Sequence, residues 1–276
     1  MTVSKLWILL SVLAGLLMVL ASGAGLFVES TYAKETVNWA TQGRGQDLVN
    51  LFLSAPALFI SACLLNKGSL RAFLLWLGTL VYLIYSYVIY AFFIHFGPWF
   101  LAYVAILGLS FYSFVGSLMG LDWNGLSPRF SEVKAKTASA FLMFLAVAFY
   151  FLWTSEVVKA LVAHMVPQGL DDAGLPVNPT HVLDMALFLP AMAVVSVKLW
   201  ERKTLGFIFA VPFLTFGVLM GSAIISMLLF LTARGFPSPV AIEVAIAVSI
   251  LVGLYLTVML LSEIRGGASI INCWSE

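Results

Sequence analysis

Residues 73–93, FLLWLGTLVYLIYSYVIYAFF, run on without one charged side chain. A helix rises 1.5 Å per residue, so about 20 mostly apolar residues cross the hydrocarbon core of a bilayer. This stretch therefore reads as a transmembrane helix over about 71–95, and the rest of the chain repeats its texture. Of the 276 residues, 62% are hydrophobic and 10% are charged. A soluble domain carries about 25% charged residues, so this chain belongs in a membrane.

Seven further segments qualify by the same rule, at 6–28, 47–66, 99–120, 137–158, 182–200, 204–233 and 240–262. The expected fold class is all-α: one polytopic integral membrane domain over 1–276, with about eight transmembrane helices. HFGPW (95–99) turns the third span into the fourth as an antiparallel hairpin. The segment 204–233 is long enough to tilt or to break near Pro212. Lys5 and the small-residue run ASGAG (21–25) would suit a signal peptide, but the apolar run continues through Phe27 and Val28, so a retained helix is expected.

Cation placement sets the orientation. Eight spans leave both termini on one side with Lys5, Lys67, Arg71, Arg129, Lys134, Lys136, Lys198, Arg202, Lys203 and Arg265. The other side holds Lys34, Arg44, Lys159 and Arg234. Ten against four predicts that both termini are cytoplasmic, since positive loops stay inside. Acids show the opposite bias: Glu29, Glu35, Asp47, Glu156, Asp171, Asp172, Asp184 and Glu243 fall on the outer side, as do His95, His164 and His181.

Several classes are disfavoured. A net charge of +1 offers no electrostatic footprint for nucleic acid. Cys63 and Cys273 form no CxxC and are expected as free thiols. The chain lacks HExxH, P-loop and GxSxG motifs. No two histidines have helical ligand spacing, so neither a metal site nor a cofactor is assigned.

Two outer helix entries carry the candidate site. In QGRGQDLVNLFLSAPAL (42–58), Asp47 and Asn50 share a helix face at i,i+3. Asp47 suits an N-cap, with Arg44 pairing outside it, while Asn50 lies a turn deeper, where an amide needs a partner. In NPTHVLDMALFLPAM (178–192), Asn178 caps the helix and Pro179 takes its first position. His181 and Asp184 again stand at i,i+3, a spacing that lets a carboxylate orient an imidazole. Pro56 and Pro190 each remove an N–H and free the carbonyls of Phe52 and Ala186, which suits hinges or a pocket floor. Glu156 and His95 complete the outer titratable set, with Lys159 the expected partner of Glu156. The tyrosines of 81–90 either anchor at the interface or hydrogen-bond within the bundle.

Aligned on their prolines, Asn50-x5-Pro56 matches Asp184-x5-Pro190, and Asp47 matches His181. Both helices run the same way, so a duplication would be a parallel 4+4 repeat with halves 1–128 and 129–276. Gly116/Gly120 and Gly217/Gly221 are GxxxG matches that could serve an internal contact or a homo- or hetero-oligomer. The texture QGRGQDLVNLFLSAPALFIS…GSLRAFLLWLGTLVYLIYSYVIYAFF is similar to multi-spanning prokaryotic membrane proteins. That resemblance implies an inner (plasma) membrane location and carries no activity. The reading that follows is a transporter or permease for a small solute or ion, with an outward-facing polar cavity between the second and sixth helices. An accessory or sensory subunit is the alternative, and an enzyme acting on a lipid at the outer leaflet is the third.

Overall fold

The structure is a computed structural model that describes residues 3–121, 131–237 and 240–264. Arg129, Arg265 and Cys273 lie outside the described residues. Among those described there is no strand, and eight helices are long and apolar enough to cross a membrane: α1 (Lys5–Phe27), α2 (Val37–Asn66), α3 (Leu70–Phe93), α4 (Phe100–Met119), α5 (Glu132–Ala163), α6 (Pro179–Trp200), α7 (Thr204–Ala233) and α8 (Val240–Glu263). The chain is a multi-pass integral membrane protein. An even number of crossings places the ends of α1 and α8 on one side, called the terminal side here, opposite the far side.

Local chemistry sets the helix starts. Ser4, Ser69 and Asn178 each accept a backbone N–H from the first turn of α1, α3 and α6. Thr36 does the same for α2, so α2 begins at Val37, well ahead of the expected position 47. Asp47 is therefore no N-cap. It lies nearly three turns inside a helix, and Gly43 and Gly45 are helical. Nor does Pro212 break α7, which runs continuously through it.

α3 is the most buried of the eight helices, and with α7 it forms the centre. Their close approach needs Gly78, where a Cβ would strike Thr215 and the Pro212 carbonyl. α3 also packs on α2 and α4, while α7 packs on α2, α6 and α8. α1 lies against α2 and α4, and α5 lies against α6. The α1–α4 contact is tight, because Gly116 receives the Trp7 ring. Trp76 Nε1 of α3 donates to Ser11 Oγ of α1 at 3.0 Å. The α5–α6 pair is joined by Ser139 and Ser196, each donating its hydroxyl to the other's carbonyl, at 2.7 and 2.8 Å.

α5 and α8 behave differently from α1 and α4. They are clasped near the terminal side, where Lys134 Nζ meets Glu263 Oε1 at 2.6 Å and Gly253 faces Phe141. Toward the far side a cleft opens between them. Gly221 receives Ile250 of α8, whereas Gly217 meets nothing and opens on that cleft. Gly116 and Gly221 thus serve contacts within the chain, one of the two uses that the GxxxG matches allowed. Cys63 is a free thiol on the exposed surface of α2.

Candidate functional site

Two π-helical turns position the polar residues. Asn50–Ser54 is a π turn directly before Ala55-Pro56, and Asp184–Phe188 is one directly before Leu189-Pro190. A proline inside a helix has no N–H and crowds the carbonyl four residues back. Widening the turn removes that conflict: Ala55 N–H bonds to the Asn50 carbonyl and Leu189 N–H to the Asp184 carbonyl, five residues away. In both helices the first residue of the widened turn is the deep polar one. The prolines themselves are exposed on the outer surface of the bundle, so neither forms a pocket floor.

Asp47 is 1% exposed and Asn50 is fully buried. Tyr32 Oη donates to Asp47 Oδ2 at 2.5 Å, and Tyr90 Oη donates to Oδ1 at 2.9 Å. Gly25 of α1 lies so close that a Cβ there would overlap the carboxylate. Asn50 Nδ2 donates to Ser22 Oγ at 3.1 Å, and Asn50 Oδ1 accepts from Tyr82 Oη at 2.8 Å. Gln46 Nε2 donates to Tyr82 Oη at 2.6 Å and to Ser86 Oγ at 3.1 Å. A connected polar network thus joins α1, α2 and α3 inside the bundle. Tyr32 lies outside the spans; burial, then the neighbouring Asp47 carboxylate, push its hydroxyl well above the ordinary tyrosine value. Arg44 does not pair with Asp47 but turns toward the Leu229–Arg234 end of α7.

Asp184 occupies a second cluster. Tyr85 Oη donates to its Oδ1 at 3.0 Å, and Trp153 Nε1 of α5 donates to Oδ2 at 2.9 Å. His181 does not pair with Asp184. The Trp153 ring packs on the imidazole at 4.6 Å between centroids, and Nε2 faces Glu156 Oε2 at 3.6 Å. The i,i+3 spacing was correct, but the indole takes the carboxylate. Glu156 therefore partners His181, in place of the expected Lys159. Neither Asp47 nor Asp184 has a Lys or Arg partner among the described residues.

The two clusters do not face each other. α2 and α6 share no packed interface, because α3 and α7 stand between them. One helix, α3, serves both: Tyr82 and Tyr90 bond toward α2, and Tyr85 toward α6. His95 belongs to neither cluster. Its backbone N–H and Nδ1 meet Glu35 at 2.8 and 2.9 Å, fastening the α1–α2 connection to the end of α3.

A cavity of about 170 Å³ lies in the cleft between α5, α6, α7 and α8, with α2 and α3 at its back. Its wall is mainly aromatic and aliphatic, including Trp39, Tyr85, Tyr90, Phe149, Trp153 and Phe216. Asp184, Gln46, Gln42 and Ser86 supply polar groups, while Asp47 and Asn50 are sealed behind the wall. The expected polar cavity between helices two and six is therefore corrected to a largely apolar cleft with one carboxylate on it. Trp153, Tyr85 and Tyr90 are the residues that sequence reading left out of the site. Trp153 shares a face with Glu156, and the tyrosines fell in an apolar run, so both signals were present but ambiguous.

No protein-family model, curated protein or solved structure matches the chain. Among the described residues, no group of three or more His, Cys, Asp or Glu side chains is placed to hold a metal ion.

Proposed function

We propose that the protein is a transporter or permease whose solute binds in the α5–α8 cleft, and that the solute is an amphipathic organic cation. The observation that carries this reading is Asp184. It is a carboxylate on an aromatic wall with no Lys or Arg partner among the described residues. A charge withdrawn from water calls for a compensating partner, and a cation on the ligand supplies one. Trp39, Tyr85 and Trp153 on the cleft wall supply aromatic rings suited to cation–π attraction. A cavity of this size suits a single ring with a small head group, since about 150 Å³ of apolar space holds benzene.

The cleft opens toward the far side, which the cation distribution makes the outer side, with both termini cytoplasmic. Matching π turns in α2 and α6, and the shared central position of α3 and α7, support reading 1–128 and 129–276 as two copies. On that reading the copies differ in one respect. α1 packs along α4, whereas the equivalent α5 and α8 meet near the terminal side but part toward the far side and leave the cleft. A second reading, an accessory subunit, rests on α5. It is the least buried of the eight helices and offers a long apolar face to a partner.

The test uses benzyltrimethylammonium and its uncharged isostere neopentylbenzene. In detergent, quenching of tryptophan fluorescence should show saturable binding of the cation, weakened at least about tenfold by Asp184→Asn, or about 1.4 kcal/mol. The isostere should not distinguish the two proteins. Equal affinity of both proteins for the cation would refute the site. Binding without uptake of radiolabelled cation into reconstituted vesicles would leave a receptor or subunit and remove transport.

A further inference from the structure

We infer that Asp47 is a proton-carrying site that exchanges its proton with the cleft through the hydroxyl of Tyr90. The geometry isolates Asp47 from bulk water and gives it one short route out. Its carboxylate is 1% exposed and does not line the cleft. Tyr90 does line it, and its hydroxyl lies 2.9 Å from Asp47 Oδ1 and 3.3 Å from the carbonyl of Gly43, another cleft residue. Tyr32, the other donor to Asp47, is not part of the cleft wall. Tyr87 stacks on Tyr90 at 5.2 Å, and its buried hydroxyl makes no close hydrogen bond among the described residues.

The groups facing Asp47 make it the charge-determining member of this cluster. Tyr32 approaches from the α1–α2 connection, Tyr82, Tyr87 and Tyr90 from α3, and Tyr103 from α4. α1 contributes Ser22 and Gly25, and α7 contributes Ser226, which bonds the Gly45 carbonyl. Every titratable neighbour is a phenol, a far weaker acid than a carboxyl group. The transfer step balances simply. Tyr90 gives its hydroxyl proton to Asp47 Oδ1 while its oxygen takes a proton from a hydronium ion in the cleft. The phenol ends neutral, Asp47 ends protonated, and one positive charge has left the cleft. Reversal returns it. Resting on the solute reading above, this step would set a proton against the cationic solute across the Tyr90 wall, so loading Asp47 would weaken solute binding.

The experiment needs no solute. Infrared difference spectra of the purified full chain, labelled with ¹³C-carboxyl aspartate, are recorded across about pH 4 to 9 in an Asp184→Asn background. A buried carboxylic-acid carbonyl band should titrate, shift with the label, and vanish in Asp47→Asn. After a pH jump, Tyr90→Phe should delay the band at least about tenfold, while Tyr32→Phe should not. Absence of any buried aspartic-acid band would overturn the proposal even if Asp47→Asn fails to fold. Unchanged kinetics in Tyr90→Phe would overturn the route. Failure of cation binding at Asp184 would leave these results intact, so the two readings fall separately.

Discussion

Substituting Gly25 with alanine tests how tightly α1 is fitted over the Asp47 carboxylate. A Cβ at this position would overlap Asp47 Oδ2 and stand 2.8 Å from Tyr32 Oη, two atoms joined by a 2.5 Å hydrogen bond. Either the carboxylate moves or α1 shifts. Overpacking of this kind costs about 1–3 kcal/mol, and losing a hydrogen bond to a buried charged group costs about 1.5–3 kcal/mol. Relief of glycine's backbone entropy returns about 0.5–1 kcal/mol. The net loss should be about 3 kcal/mol. Gly23, two residues earlier on the same helix, is the control, because a Cβ there meets nothing within 4 Å. Gly23→Ala should be neutral or stabilising by about 0.5–1 kcal/mol. Steric-trap unfolding in bicelles, or reversible unfolding in mixed detergent, measures both variants on one scale. Equal stability of the two would refute the placement of α1 over Asp47, and with it the sealed network.

Other outcomes follow from the same packing. Gly217→Leu places a side chain in the cleft, so benzyltrimethylammonium affinity should fall at least about tenfold while stability stays within about 1 kcal/mol, read by fluorescence and unfolding. The Ser139–Ser196 pair should show a coupling of about 0.6–1.7 kcal/mol in a double-alanine cycle; no coupling would separate α5 from α6 energetically. Tyr32 is neutral in the fold and its hydroxyl is held above the ordinary value near 10, so its stabilising contribution is present below that pH and lost as pH rises through the folded value. Spectrophotometric titration of the native protein near pH 10–11 should therefore give the same tyrosinate signal for Tyr32→Phe and wild type, the two differing only after unfolding.

The sequence by itself determined the class and the crossings, because bilayer thickness converts directly into a length of uncharged helix. It also located the deep polar residues: Asn50 and Asp184 stand six residues before Pro56 and Pro190, and both begin a widened turn. It missed the start of α2, since residues 37–46 are polar enough to read as loop although Thr36 caps them into a helix. Partners were beyond its reach. His181 and Asp184 share a helical face, yet the bond to Asp184 comes from Trp153, which is near it only because α5 packs on α6. Asp47 and Asp184 look alike as outer-side acids in two matching entries. Tertiary structure alone seals one and leaves the other on a cleft, because α1 lies over Asp47 at Gly25 and packs along α4, while α8 stands off from α5 toward the far side. Helix spacing is a property of facing side chains on distant segments, and no local pattern encodes it.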